Sequence, residues 1–184
     1  MTTIRLLPVR GSRIVVAVVV AVALAVAGYF VWRPTDESRI RGQLTRLAAA
    51  VRITDADRET NPIERVARVS SQLDALFEPD ARVNIPELTD LGSEHAGKRE
   101  LVQLVTGAPQ YVRTFAVDFT SVTIKMDAAH TTAFVGATAS VSAVERDGST
   151  SQDRRAVDLH FVDKDGVWLI RTLTVWTKED AAPQ

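Results

Sequence analysis

The stretch YVRTFAVDFTSVTIKM, residues 111–126, decides the fold, because here the apolar residues stop following a helical spacing and begin to alternate. Alternation of apolar and polar residues is typical of a β-strand with one buried face. Two sets of apolar residues alternate, out of phase by one position: Phe115, Val117 and Phe119, then Val122, Ile124 and Met126. Such a slip predicts a β-bulge near Thr120-Ser121, which would bend the strand.

Three more strands are predicted after this one, over residues 131–146, 154–162 and 167–177. Asp147-Gly148 and Asp165-Gly166 are hairpin turn signals between them, so the four strands form an antiparallel meander. In the strand 154–162 the two faces differ in polarity: Val157, Leu159 and Phe161 against Arg154, Asp158 and His160. In the last strand both faces are apolar, which predicts a central strand or one covered on both faces: Leu169, Leu173 and Val175 on one face, and Trp168, Ile170 and Trp176 on the other.

Helical spacing dominates the chain before the meander. A first helix carries its apolar residues on one face: Ile40, Leu44, Leu47 and Val51. Asn61-Pro62-Ile63-Glu64 is a helix start signal, with Asn as the cap and Pro at the first helical position. The buried residues predicted for this second helix are Ile63, Val66, Ser70, Leu73 and Phe77. Glu78-Pro79-Asp80 ends it, a short strand follows at 81–85, and a third helix covers 98–105.

An apolar run of nineteen residues, Ile14 to Trp32, precedes this domain. About 20 apolar residues are enough to span a bilayer as a helix. The arginines that precede the run favour a cytoplasmic N-terminus: Arg5, Arg10 and Arg13. We therefore expect a cytoplasmic N-terminus at 1–13, a single transmembrane helix at 14–32 and an extracytoplasmic domain at 33–184, held at the cytoplasmic (inner) membrane. The alternative is a signal peptide cleaved after Ala25-Val26-Ala27.

Composition excludes several classes of function. Three of the 22 basic residues precede residue 33 and all 23 acidic residues follow it, which leaves residues 33–184 with a net charge of −4. Nucleic acid is therefore not an expected partner, because phosphate backbones require a basic surface. The chain has no cysteine, which excludes disulfides and thiolate chemistry.

The order of elements resembles the NTF2-like superfamily, an α+β cone that includes SnoaL-like proteins and ketosteroid isomerases. Gly97-Lys98-Arg99-Glu100-Leu101 is similar to the family's entry into its third helix, and Asp165-Gly166-Val167-Trp168-Leu169-Ile170 is similar to its final hairpin. The resemblance covers roughly 36–177 and implies three helices packed on a curved, mostly antiparallel sheet around a pocket. Members with one N-terminal membrane span include VirB8-like components of type IV secretion systems and Mce-associated proteins, and no residue motif singles out either group.

Few residues suggest catalysis. Resemblance to ketosteroid isomerase implies a carboxylate base and a tyrosine on the first helix, but the tyrosines are Tyr29 and Tyr111. Asp158 and His160 share a strand face, where they could work as an acid–base pair or simply form a polar outer face. Asp118 could line the pocket or pair with Arg113 or Arg155 on the outer face, and we favour the pair.

Three aromatic residues are candidates for a ligand wall or a subunit interface: Tyr111, Trp168 and Trp176. The three histidines lack the local spacing of a metal site: His95, His130 and His160. We therefore expect neither a metal nor a cofactor.

These observations favour a non-enzymatic, membrane-tethered domain that serves as an accessory or assembly subunit of an envelope complex. Its expected partners are the lipid bilayer and either a second copy or an envelope protein, with contacts through the outer sheet face. Binding of a small hydrophobic or lipid-like ligand in the cone is the alternative, and a SnoaL-like enzyme is the third. An open apolar cavity would favour binding, whereas Phe77, Phe115 or Trp168 filling the cone would favour the assembly role.

Overall fold

The computed structural model describes residues 35–85 and 96–176. The helices are α1 (Asp36–Val51), α2 (Ala56–Glu59), α3 (Pro62–Asp74) and α4 (Lys98–Gly107), followed by a 3₁₀ turn (Ala108–Gln110). The strands are β1 (Phe77–Asn84), β2 (Ala96–Gly97), β3 (Val112–Met126), β4 (Thr132–Glu145), β5 (Thr150–Lys164) and β6 (Val167–Val175). This is the predicted α+β architecture, in which three main helices pack on one curved sheet.

The sheet has the strand order β2-β1-β6-β5-β4-β3. β3 to β6 form the predicted antiparallel meander, and β1 pairs with β6 in parallel. The pairing of β3 with β4 slips between Thr120 and Thr123, and Ser121 has a φ of 50°. The predicted bulge is therefore confirmed.

Helix α1 packs on the concave face of this sheet through the predicted stripe. Ile40, Leu44 and Leu47 are buried, whereas Val51 at the end of the helix is only half-buried. Since the helical spacing places these residues on one side, the burial of that side stabilises the helix against the sheet.

Helix α3 is only partly as predicted. Its cap is confirmed, because the side-chain oxygen of Asn61 accepts a hydrogen bond from the Ile63 amide at 2.9 Å. The predicted buried stripe is wrong at its start, since Ile63 and Val66 are exposed and Val69 is buried instead. The helix turns a different face to the core.

The end of α3 was also predicted wrongly, because Phe77 belongs to β1 and not to the helix. The Ile170 amide donates a hydrogen bond to the Leu76 carbonyl at 2.8 Å, which starts the parallel pairing of β1 with β6. The predicted stop Glu78-Pro79-Asp80 lies inside β1, at an irregularity in that pairing. Among the described strands, the short β2 alone lies beyond β1, and a proline is tolerated near a sheet edge or at a bulge.

A second bulge changes the faces of β6. His160 pairs with Thr172 and Phe161 with Ile170, which leaves Arg171 without a partner across the ladder. Side chains before and after a bulge change phase, so Trp168 and Ile170 share the core face with Leu173. The predicted division, which put Leu173 opposite Trp168 and Ile170, is therefore wrong.

No helix within residues 35–85 and 96–176 has both the length and the apolarity needed to cross a bilayer. The predicted transmembrane helix at 14–32 lies outside the described residues.

Candidate ligand cavity and outer sheet face

An apolar cavity of about 280 Å³ lies between the helices and the concave face of the sheet. It is bounded by the end of α1, by α4 and by the concave faces of β3 to β6. Its buried wall consists of aliphatic side chains: Leu47, Leu101, Val105, Ala139, Val157 and Leu173. Its half-buried wall includes Val51, Phe115, Val117, Phe119, Val141 and Val175. Such a wall excludes water and favours an apolar occupant.

One charged pair interrupts the apolar wall. Asp153 and Arg155 line the cavity, and the Arg155 Nε donates to the Asp153 Oδ2 at 2.9 Å. Their side chains are 28% and 25% exposed, so the pair lies at the rim. β6 ends at Val175, opposite Val157 of β5, and the pair occupies the part of β5 beyond that end.

The sequence contains a signal for the position of this pair. Asp153 and Arg155 precede Val157 by four and two residues, so the alternation that buries Val157 places them on the same face. Charged residues in the phase of a buried face indicate a polar group inside a pocket. The expectation that Arg155 would lie on the outer face with Asp118 is therefore wrong.

The candidate acid–base residues lie on the opposite face of the sheet. Asp158 Oδ2 accepts a hydrogen bond from the Trp176 Nε1 at 2.8 Å. The His160 ring stacks on Phe134, with centroids 4.4 Å apart and planes 2° from parallel. Burial lowers the pKa of His160, and the positive charge of Arg171 lowers it further. The negative charge of Glu78 raises this pKa by a smaller amount. The two residues share a face, as expected, but they do not face the cavity.

Asp118 is exposed and also lies on the face opposite the cavity. Its expected pairing is not found, because Arg113 pairs with Asp55 at 3.4 Å and Arg155 pairs with Asp153.

The three candidate aromatic residues occupy different environments. Tyr111 is exposed at the start of β3. Trp168 is 2% exposed, so it is a core residue and neither a cavity wall nor a contact surface. Its Nε1 donates to Asp36 Oδ1 at 3.4 Å, and its carbonyl accepts from Gln43 Nε2 at 2.8 Å. Trp176 is 39% exposed and lies beside Asp158 on the outer face.

A shallow groove of about 580 Å³ crosses this outer face. Gly136 forms part of its floor, where the absence of a side chain leaves room beside Asp158. Phe134, which is 60% exposed, lines the groove together with His160 and Lys125. The outer face therefore combines an exposed aromatic ring with polar groups.

Within the described residues, no three side chains of His, Asp or Glu come together to hold a metal ion. His130 Nδ1 lies 3.3 Å from Asp36 Oδ2 at the surface, and His160 is on the outer face. His95 lies outside the described residues.

Glu78 is a buried carboxylate next to His160 that the sequence did not single out. It accepts from Arg171 Nε at 2.7 Å, and Lys164 Nζ lies 3.5 Å away. The hydrogen bond from Arg171 lowers the pKa of Glu78 more than burial raises it, and the charges of Arg171 and Lys164 lower it further.

We therefore expect Glu78→Gln to lower the free energy of unfolding by about 1–2 kcal/mol at pH 7, because the partners are charged but half-exposed. A lowered pKa means that the ionised group stabilises the fold at higher pH and loses this effect on acidification. The difference in the free energy of unfolding between the variant and the wild type should therefore shrink as the pH falls below 4.5, the ordinary pKa of a glutamate. Urea unfolding between pH 7 and pH 3 measures this difference. Asp118→Asn, which removes an exposed charge, is the control, and an equal difference at both pH values would contradict the expectation.

No family profile matches the chain, and no curated protein matches it. Solved structures do match it in fold. An NTF2-like superfamily protein from Salmonella enterica serovar Typhimurium has 14% identity and a TM-score of 0.55, over 79% of this chain and 94% of its own. A putative scytalone dehydratase from Novosphingobium aromaticivorans has 16% identity and a TM-score of 0.57, over 81% and 89%.

A third match is the hexachlorocyclohexane dehydrochlorinase LinA-type3 from Novosphingobium barchaimii, with 12% identity and a TM-score of 0.57 over 79% of this chain and 88% of its own. At these identities the likeness shows the fold alone. The described residues have the NTF2-like fold, as the sequence resemblance implied. The membrane anchor and the likeness to VirB8-like or Mce-associated proteins stay predictions.

Proposed function

We propose that this domain binds a small apolar molecule in the cavity between its helices and its sheet. The observation that carries the proposal is an apolar space of about 280 Å³ whose described lining contains one charged pair, at the rim. Small-molecule sites are typically concave, mostly apolar and fitted with a few polar groups that orient the ligand. Phe77 and Trp168 are packed in the core and do not line this space, whereas Phe115 forms part of its wall.

Binding without catalysis fits the position of the titratable groups. A SnoaL-like enzyme would need Asp158, His160 or Asp118 in the cavity, and all three lie on the opposite face. The carboxylate that does line the cavity, Asp153, is paired with Arg155. Fold likeness does not decide this question, since function depends on the site. The structural match to a hexachlorocyclohexane dehydrochlorinase nevertheless indicates that this fold can bind a compact apolar compound.

The predicted anchor at 14–32 would hold this binding domain at the outer surface of the cytoplasmic membrane, with the N-terminus inside. Apolar molecules that enter or leave a bilayer are then natural ligands, because the domain would meet them at the membrane surface.

Photoaffinity labelling tests the proposal. The full 184-residue chain, held in lipid nanodiscs, would be irradiated with a ten-carbon alcohol that carries a diazirine in its tail, and the labelled peptides identified by mass spectrometry. We expect saturable labelling in peptides from α4 and from the concave faces of β3 to β5. Labelling that never saturates, or that is spread evenly over the surface, would contradict cavity binding.

A second candidate function is the assembly role that the sequence favoured. It is supported by exposed aromatic side chains, Phe134 and Trp176, on the outer face of the sheet. Sheet faces pack well against one another, and exposed aromatic residues are typical of interfaces. The partner would be a second copy of the chain or another envelope protein.

Phe134→Glu is expected to weaken this association at least tenfold, because it places a charge where an aromatic ring would be buried. Sedimentation velocity of the full chain in detergent micelles measures the change. Tyr111→Glu is the control, since Tyr111 is an exposed aromatic residue outside the groove. A wild type that stays monomeric and brings no partner through purification would contradict the assembly role.

A further inference from the structure

A depression in the outer face of the sheet has a carboxylate oxygen at its side. Gly136 of β4 has no side chain, and it pairs with Thr123 of β3 and with Asp158 of β5. A Cβ atom added to Gly136 would lie 3.7 Å from Asp158 Oδ1, so a group that enters the depression contacts this oxygen. The depression belongs to the shallow groove of about 580 Å³ on this face.

The carboxylate of Asp158 is oriented by an indole group. Trp176 Nε1 donates to Asp158 Oδ2 at 2.8 Å, and Oδ1 faces the space beside Gly136. Among the residues that the structure describes, no side chain or backbone group donates to Oδ1. A carboxylate has about four acceptor positions, so a donor can bind Oδ1 while the bond from Trp176 is kept.

The charges around the depression favour a cation beside Asp158. Lys125 is the other fully charged residue that lines the groove, but it lies on β3, two strands away from Asp158. Neighbouring strands are about 4.8 Å apart, so the Cα atoms of these two residues are at least about 10 Å apart. A contact with Oδ1 is much shorter, and salt screens charges over about 8 Å, so the attraction exceeds the repulsion. Arg171, which lies near His160, pairs with Glu78.

We infer that this depression binds the guanidinium group of an arginine side chain on a partner protein, which lies over Gly136 and donates to Asp158 Oδ1. A guanidinium is planar, weakly hydrated and has five donors, so it can bind a carboxylate and a neighbouring hydroxyl such as that of Thr174 together. The exposed rings of Phe134 and Trp176 are on the same face, and arginine and aromatic residues are enriched at interfaces. This inference rests on the assembly role and names the chemistry of the partner.

Titration with three amino-acid probes, followed by NMR, tests the inference. The full isotope-labelled chain in detergent micelles is titrated with N-acetylarginine amide, with its uncharged citrulline analogue and with N-acetyllysine amide. The indole N–H signal of Trp176 reports binding, because this group donates to Asp158, and the signal of the buried Trp168 is the internal control. We expect a saturable shift of the Trp176 signal alone. The arginine probe should bind at least tenfold more tightly than the citrulline probe and at least threefold more tightly than the lysine probe.

Two variants alter the depression in different ways. Asp158→Asn removes the charge and should weaken binding of the arginine probe at least tenfold, whereas Asp118→Asn makes the same charge change on the same face outside the groove and should not. Gly136→Val fills the depression without a change of charge and should also weaken binding at least tenfold. Valine is favoured in strands, and Ser142→Val places the same side chain at an exposed position of β4 as its control.

The possible results separate this inference from the assembly role. If Phe134→Glu abolishes association but the arginine probe does not bind, or binds no better than the citrulline or lysine probe, the inference is overturned while the assembly role stands. Unchanged binding in a folded Asp158→Asn or Gly136→Val variant overturns it as well. A Trp176 signal that shifts with the concentration of the chain alone would make a second copy the occupant, and this result overturns the assignment to another protein.

A wild type that neither associates nor brings a partner through purification removes the assembly role itself, on which the inference depends. The comparison of the three probes on the wild type needs no substitution, so it decides the question even if a variant does not fold.

Discussion

Replacing Ala139 by Phe is expected to reduce saturable labelling of the cavity at least tenfold. Ala139 lies on β4 at the buried wall of the cavity, opposite Phe119 of β3 and Arg155 of β5. A benzyl side chain built there would extend into the space of about 280 Å³ and occupy the volume that the ligand tail needs. Burial of each CH₂ group of the ligand contributes about 0.8 kcal/mol, so the exclusion of two groups already lowers affinity by more than tenfold.

The control for this variant is Ser142→Phe, which adds a benzyl group to the same strand on its exposed outer side. Circular dichroism and urea unfolding would show whether Ala139→Phe keeps the fold, since overpacking costs about 1–3 kcal/mol when the neighbours cannot move. If it does not fold, Val141→Phe fills the half-buried part of the same wall. A folded cavity-filling variant that labels like the wild type would rule out the cavity as the binding site.

The curvature of the sheet could be predicted from a single local feature. The change of phase after Thr120-Ser121 is a local property of β3, and no other part of the chain is needed to interpret it. The register slip at Thr120 and the positive φ of Ser121 are its structural counterparts. In a strand with one buried face, such a change of phase requires a bulge, because a slip of one residue without a bulge would bury polar side chains.

The boundary between α3 and β1 could not be predicted in the same way. Leu73 and Phe77 are four residues apart, which fits one face of a helix as well as it fits two separate elements. What ends the helix is a long-range contact, the hydrogen bond from Ile170 to Leu76. Such a contact has no local signature, so tertiary pairing overrides the helical spacing.

The candidate site was predicted less well than the fold, for a related reason. Asp158 and His160, which the sequence offered as an acid–base pair, share a face but point away from the cavity. Of the pair that does line the cavity, Asp153 lies just before the strand predicted at 154–162, and Arg155 lies within it but was predicted on the outer face. In β6 the bulge at Arg171 reverses the faces, and this reversal placed Trp168 in the core. Because both faces of β6 are apolar, its sequence shows no clear change of phase at this bulge, unlike the sequence of β3.

The two proposed functions, ligand binding and assembly, are compatible because they use opposite faces of the sheet. The concave face provides the cavity, and the outer face carries the groove with Phe134 and His160. Because side chains on a strand alternate between the faces, substitutions on one face leave the other chemically unchanged. Ligand binding and assembly can therefore be tested separately, with Ala139→Phe for the first and Phe134→Glu for the second.

The largest expected loss of stability comes from Trp168→Ala. Trp168 is among the largest fully buried side chains, and its removal leaves a void that the surrounding strands can only partly close. Truncation of a buried tryptophan or phenylalanine to alanine typically costs about 3–5 kcal/mol. This is a large part of the 5–15 kcal/mol that usually separates folded from unfolded domains. The indole also donates to Asp36, so the variant loses a link between β6 and the start of α1.

Urea unfolding of the full chain, followed by circular dichroism, measures this loss, and Trp176→Ala is the control. Trp176 is partly exposed on the outer face, so its truncation should cost about 1 kcal/mol or less, mainly through the hydrogen bond to Asp158. If Trp168→Ala is too unstable to measure, Trp168→Phe should give a smaller loss that still exceeds the loss for Trp176→Ala. Equal losses at the two tryptophans would mean that Trp168 does not form part of the core, and the arrangement of β6 between β1 and β5 would then be wrong.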